Sequence, residues 1–220
     1  MKKLIIGSSS DIALNLLKDY KDDEYIALSS NPQIENHLKI DLLDESSYPE
    51  INEEISGLVY FPGTINLKPF SSLKLNDFEN DYNINVLGLI KILKHYNKKF
   101  TNGCSIVFIS SVAASVGMPY HTSISLCKSA IEGLMRSLAA EWSPKIRVNC
   151  IAPSAVKTKL SQRLFRTEQQ IDQMNKRHPL MRYGEKNDIS NVIKFLLSKN
   201  SSWITGQVIN IDGGLSTIKK

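Results

Sequence analysis

The chain has 220 residues, 42% of them hydrophobic and 22% charged, a globular balance that excludes disordered and fibrous classes. Twenty-seven Lys and Arg against 22 Asp and Glu leave a net charge of +5, spread over positions such as Lys91, Lys94, Lys98 and Lys99. No basic arm with interleaved aromatics marks a nucleic-acid surface, and no apolar stretch approaches the length of a membrane helix.

Apolar runs alternate with helical periodicity along the whole chain, the pattern of βαβ units and a parallel sheet. The predicted strands, in chain order, are Leu4–Gly7, Tyr25–Ser29, Leu38–Leu42, Gly57–Phe61, Ser105–Ser110, Ile146–Ala152 and Val208–Ile211. Most are solid hydrophobic runs, as strands buried on both faces require. Two apolar stripes at helical spacing lie between them: Phe78, Tyr82, Val86, Leu89 and Leu93, then Cys127, Ile131, Leu134, Leu138 and Trp142. Only Asn31 to Asn36 separate the second strand from the third, too few for a crossover helix, so that connection is expected to be a turn. The result is a doubly wound α/β chain of one domain, a seven-stranded parallel sheet with helices on both faces.

Cys104, Cys127 and Cys150 form no CxxC pair and sit in apolar or small-residue runs, so disulfides and a metal site are not expected. The start Met1-Lys2-Lys3-Leu4-Ile5-Ile6-Gly7 breaks too early for a signal peptide, and the chain is expected to be cytoplasmic.

The first strand ends at Gly7-Ser8-Ser9-Ser10-Asp11-Ile12-Ala13 and runs into a helix. A glycine turn before a helix aims backbone N–H groups at a phosphate. By itself this is weak; the bland reading is a strand-to-helix turn with Asp11 as its N-cap. Further signals follow in order. Asp41 closes the third strand and Pro62-Gly63 the fourth. Asn85 lies on an apolar helix stripe, Ser110-Ser111 end the fifth strand, and Lys128 sits early in the next helix. Arg147-Val148-Asn149-Cys150-Ile151-Ala152-Pro153-Ser154, Thr158, Thr205-Gly206-Gln207 and Asp212-Gly213-Gly214 complete the series.

On these residues the chain resembles the short-chain dehydrogenase/reductase family over essentially its whole length. The resemblance implies a Rossmann fold, a nicotinamide dinucleotide as cofactor and hydride transfer between a carbonyl and an alcohol on a small molecule. It implies a homodimer or homotetramer, with no nucleic-acid or membrane partner. Gly7 matches the first glycine of the family's turn, with Asp11 and Ala13 where the others belong; Ser9, Ser10 and Ile12 lie along the same cofactor path. Asp41 and Leu42 match the pair against the adenine. Tyr60-Phe61-Pro62-Gly63 replaces Asn-Asn-Ala-Gly, so that wall is rebuilt around Pro62 and Gly63. Pro153, Val156 and Thr158 match the segment that holds the carboxamide. Residues 159–183, rich in Lys and Arg, match the substrate lid, which admits an anionic substrate or a solvated surface.

Of four catalytic positions, three are carried over: Asn85, Ser111 and Lys128. The fourth, a tyrosine one helical turn before Lys128, is Ile124, which has no proton to give. Tyr120 or His121, a turn upstream, is the candidate substitute, with water as the alternative. The second strand ends Ser29-Ser30-Asn31 without the carboxylate that holds a ribose 2′-OH, so NADP(H) is expected over NAD(H), with Ser30 at that end. No lysine or arginine is evident there for a 2′-phosphate. The competing reading is a dinucleotide-binding sensor or scaffold with little catalysis. A hydrolase lacks support, since no GxSxG elbow occurs.

Overall fold

The computed structural model describes residues 1–31 and 36–219. The described residues form seven strands in one parallel sheet. They are β1 (Lys2–Ile6), β2 (Tyr25–Ser29), β3 (His37–Lys39), β4 (Ile55–Tyr60), β5 (Phe100–Ile109), β6 (Ile146–Pro153) and β7 (Val208–Ile211), in spatial order 3-2-1-4-5-6-7. Adjacent strands pair in parallel throughout, for example Ile5 with Ala27 and with Val59. The order reverses between β1 and β4, which opens a crevice at the carboxyl ends of the strands.

Alternation along the strands feeds two cores. Leu4, Ile6, Leu28 and Leu58 pack against α3 (Gly88–Tyr96) and α4 (Thr122–Trp142). Ile5, Ala27, Val59 and Val107 pack on the other face against α1 (Asp11–Leu17) and α6 (Lys186–Leu197). Two further helices are α2 (Leu75–Tyr82) and α5 (Glu168–Arg177). No helix among the described residues is long and apolar enough to cross a membrane.

Three local expectations need correction. The strand expected at Leu38–Leu42 is His37–Lys39: Ile40 N–H still donates to Ser29 O, but Asp41 then accepts Leu43 N–H through Oδ1 and turns the chain away. The single stripe from Phe78 to Leu93 is broken, with a π-helical turn, Asn83–Leu87, between α2 and α3. On α4 the buried line is Cys127, Ile131, Met135 and Ala139, with Leu134 and Leu138 half-buried beside it. The turn expected at Asn31–Asn36 falls largely on residues 32–35, outside the described residues. All three cysteines are buried and free.

Candidate active site

A groove runs across the carboxyl ends of the strands. Gly7, Ser9, Ser10, Asp11, Ile12, Ser30, Asp41, Leu42, Pro62, Gly63 and Thr158 line its outer part. It continues into a cavity of about 220 Å³ lined by Ser111, Ile124, Lys128, Pro153 and Val156, with Ile12, Gly63 and Thr158 shared between the two. Asn85 is buried behind this wall rather than on it.

At the turn after β1, Gly7 adopts φ +73°, and a Cβ there would lie 2.8 Å from the ring of Pro62. Only glycine fits that close approach. The N-cap of α1 is Ser10, whose Oγ accepts Ala13 N–H at 3.2 Å, and not Asp11 as expected. The Asp11 carboxylate is drawn off to accept Lys159 N–H at 2.6 Å and faces Lys186 at 3.8 Å. This leaves the turn's own N–H groups without an acid aimed across them.

The π turn carries Asn85. Gly88 N–H donates to Asn83 O, five residues back, and the Ile84 carbonyl takes the Tyr60 hydroxyl at 2.6 Å instead. A Cβ at Gly88 would meet that hydroxyl at 2.8 Å. The buried Tyr60 thus braces the turn, a physical role for the rebuilt wall. Asn85 Nδ2 donates to Asp81 O at 2.8 Å and to Thr64 Oγ1 at 3.0 Å, which fixes the amide; Oδ1 is buried with no partner among the described residues. A methyl on Gly63 would sit 3.1 Å from that Oδ1 and 3.3 Å from Lys128 Nζ, so glycine keeps a small space open between them.

Lys128 Nζ donates to Ile109 O at 2.9 Å. Burial pushes its pKa down from 10.5 to about 8, with partial relief from the Asp81 carboxylate. Beneath Asn85 lies a residue the sequence reading missed. The Asp81 carboxylate, 2% exposed, accepts hydrogen bonds from Thr64 and from Ser123. It sits four residues before Asn85, one helical turn away, and that spacing was the available signal.

Ser111 caps a short helical turn by accepting Ala113 N–H at 3.2 Å, which leaves its own proton free for the cavity. Its neighbour Ser110 donates to Glu132 at 2.6 Å. Ile124 is buried and forms part of the cavity wall. Of the two proposed substitutes, Tyr120 is excluded from the cavity: φ is +68° and the residue is 56% exposed, turned out by the loop. His121 does line it, and its Nδ1–H donates to Pro119 O at 2.7 Å, leaving Nε2 as the ring atom free to exchange a proton.

A family model described as enoyl-(acyl carrier protein) reductase matches residues 47–216. A tropinone reductase homologue of Arabidopsis thaliana is 30% identical over 218 residues, 97% of this chain and 83% of that protein. The chain belongs to the short-chain dehydrogenase/reductase family.

Solved members share its shape. An aldohexose dehydrogenase from Thermoplasma acidophilum superposes with TM-score 0.87 at 25% identity, covering all of this chain and 96% of the other. ElxO with NADP bound superposes with TM-score 0.83 at 25% identity, covering 99% of each chain. The resemblance read from the sequence implies departures from the family pattern at Ile124, at Tyr60-Phe61-Pro62, and at the end of β2. There the sequence reading found no cation, yet Lys39 lines the groove together with Ser29 and Ser30. It stands opposite Ser29 in the β2–β3 register, because the short connection brings the end of β3 alongside that of β2. Lys39 has no carboxylate partner among the described residues, and Asp41 beside it spends Oδ1 on Leu43 N–H.

Proposed function

We propose that this protein is a nicotinamide-dinucleotide-dependent oxidoreductase that interconverts a carbonyl and an alcohol on a small molecule. The observation that carries the reading is the continuity of the groove and cavity: the dinucleotide path ends where Ser111 and Lys128 face one enclosed space. The residues fit the cofactor, since Gly7 and Gly63 open room where any side chain would intrude, and Asn85 Oδ1 waits as a buried acceptor. When bound, the dinucleotide gives or takes the hydride.

The chain's own residues do the rest. Ser111 O–H donates to the substrate oxygen, and Lys128 and Asn85 hold the ribose side of the site and a water between them. Two groups that can exchange a proton line the cavity where Ile124 offers none: the Lys128 ammonium, made more acidic by burial, and the His121 ring at Nε2. The second reading, a dinucleotide-binding sensor, is favoured by Ile124 alone.

NADP(H) is the expected form, and Lys39 and Ser30 are the groove residues that would hold a ribose 2′-phosphate; the structurally similar ElxO was solved with NADP. A homodimer or homotetramer in the cytoplasm, with residues 159–183 as the substrate lid, completes the proposal. Fluorescence titration with NADPH and NADH tests it. NADPH should bind more tightly, and Lys39→Ala should reduce that preference at least about fivefold, as one charge-assisted contact requires. Binding of neither dinucleotide at millimolar concentration would overturn the reading.

A further inference from the structure

The walls of the cavity are chemically one-sided. Phe61, Ile65, Leu67, Val112, Met118 and Leu164 give it an apolar body, and no Asp or Glu lines it among the described residues. Apart from Lys128 and His121, which face the reacting end, its one ionisable side chain is Arg177, at the last turn of α5. The cavity wall at Ile65, Leu67, Leu160, Ser161 and Leu164 is shared with an adjoining groove that adds Lys159, Arg163 and Arg166.

Basic residues on this part of the surface differ in their partners. Lys176 is tied to Asp172 at 2.6 Å, Arg182 to Asp188 at 2.6 Å, and Lys186 faces Asp11 at 3.8 Å. Lys159, Arg163, Arg166 and Arg177, the four that line the cavity or its adjoining groove, have no carboxylate within ion-pair distance among the described residues. Lys157 also lacks a carboxylate partner among the described residues but lies 5.7 Å over the Tyr183 ring, outside both the cavity and the groove, so the four that line them are the cations left facing this space.

The segment is also held in place. His178 is buried; Nδ1–H donates to Met174 O at 2.7 Å, and Nε2 shares a hydrogen bond with the Ser154 hydroxyl at 2.9 Å. Leu180 N–H donates to Gly213 O and Gly184 N–H to Ala155 O. Arg177 is therefore presented next to the cavity by an anchored helix end.

We propose that the substrate is an amphipathic small molecule, an apolar body bearing the carbonyl or alcohol with an anionic group at the far end, and that Arg177 receives the anion. This rests on the reading of the cavity as the substrate site. Arg supplies a planar fork that meets a carboxylate or phosphate with paired N–H donors, and Lys159, Arg163 and Arg166 add field along the approach. The apolar wall supplies affinity, and the absence of an acid spares the ligand any repulsion.

The test is calorimetry on the full chain saturated with NADPH, using octanoate, octanamide and octyl phosphate as probes of one chain length. At least one of the two anions should bind at least about fivefold more tightly than octanamide at low salt, the advantage shrinking at 0.5 M NaCl as screening sets in. Which anion binds more tightly separates a carboxylate from a phosphate substrate. Arg177→Gln should abolish the advantage with NADPH affinity unchanged, and Lys176→Gln, which removes a paired cation, should leave it intact. Octanamide binding as tightly as both anions, no binding of any probe below 1 mM, or an advantage that survives Arg177→Gln would overturn the proposal. Failure of NADPH to bind would instead count against the oxidoreductase reading.

Discussion

Ile124, an alkyl group in the cavity wall, stands in the proposed reading where a proton donor is needed. A general acid typically contributes ~10²–10⁴-fold, so Ile124→Tyr should raise kcat on a permissive carbonyl substrate at least about tenfold. His121→Ala should lower the natural rate if Nε2 carries the proton, whereas Tyr120→Phe should change nothing, because that ring points to solvent. Lys128 offers a second measurement. Its pKa falls from 10.5 to about 8, so below pH 8 the folded protein carries the full cost of a buried ammonium. Between about 8 and 10.5 the unfolded chain binds the extra proton and stability rises with pH; above 10.5 both states are neutral and the cost is gone. At 1.36 kcal/mol per unit, less the lost bond to Ile109 O, Lys128→Met should stabilise the fold by about 2 kcal/mol at pH 7. Thermal melts from pH 7 to 10.5 should show that advantage vanish, while titration shows NADPH affinity lost at every pH. A gain independent of pH would mean that the ammonium is not the source of the cost.

The elements were unevenly legible from sequence, and the reason is whether their cause is local. β1, β2, β4 and β6 announce themselves as apolar runs because their central residues are buried, and β7 as a short Val/Ile run although it is only half-buried. The end of β3 does not, since its boundary is set by Asp41 bonding the next turn. The π turn between α2 and α3 depends on the Tyr60 hydroxyl from a strand 24 residues earlier, which periodicity on one helix cannot reveal. The site divides in the same way. All the residues expected along the dinucleotide path do line the groove or the cavity, because most lie at or just beyond the carboxyl ends of strands that the pattern locates. Lys39, Thr64 and Asp81 were hidden because tertiary neighbours give them their roles. The contact between the β1 turn and the β4 turn is correspondingly exacting. Gly7→Ala would combine a left-handed backbone with a Cβ 2.8 Å from Pro62. A loss of about 2–4 kcal/mol follows, read as a fall in Tm of roughly 5–15 °C and a matching loss of NADPH binding. A melting temperature within 2 °C of the natural protein would show that the two turns separate freely.

Across the whole molecule, large apolar side chains remain in the open on and just before α2 and on α4: Phe70, Leu75, Tyr82 and Leu126. Two of them, Leu75 at 81% and Phe70 at 69% exposure, keep most of their apolar area uncovered within one chain. Contiguous exposed apolar surface on a folded chain marks a place where another surface docks. The α2 and α4 helices lie side by side in this fold, so a second copy of the chain related by a two-fold axis would present the same patch to itself. We therefore expect light scattering at micromolar concentration to give the mass of a dimer or tetramer. Leu126 is 55% exposed and turned away from the buried line of α4, so Leu126→Glu should leave the monomer's fold and far-UV spectrum unchanged. A charge buried at an interface without a partner costs several kcal/mol, enough to shift a micromolar assembly toward smaller species. The measured mass should fall, and Tm should become independent of protein concentration where that of the natural protein rises with it. A natural protein that is already monomeric, or a Leu126→Glu variant of unchanged mass, would mean that α4 is not the contact surface.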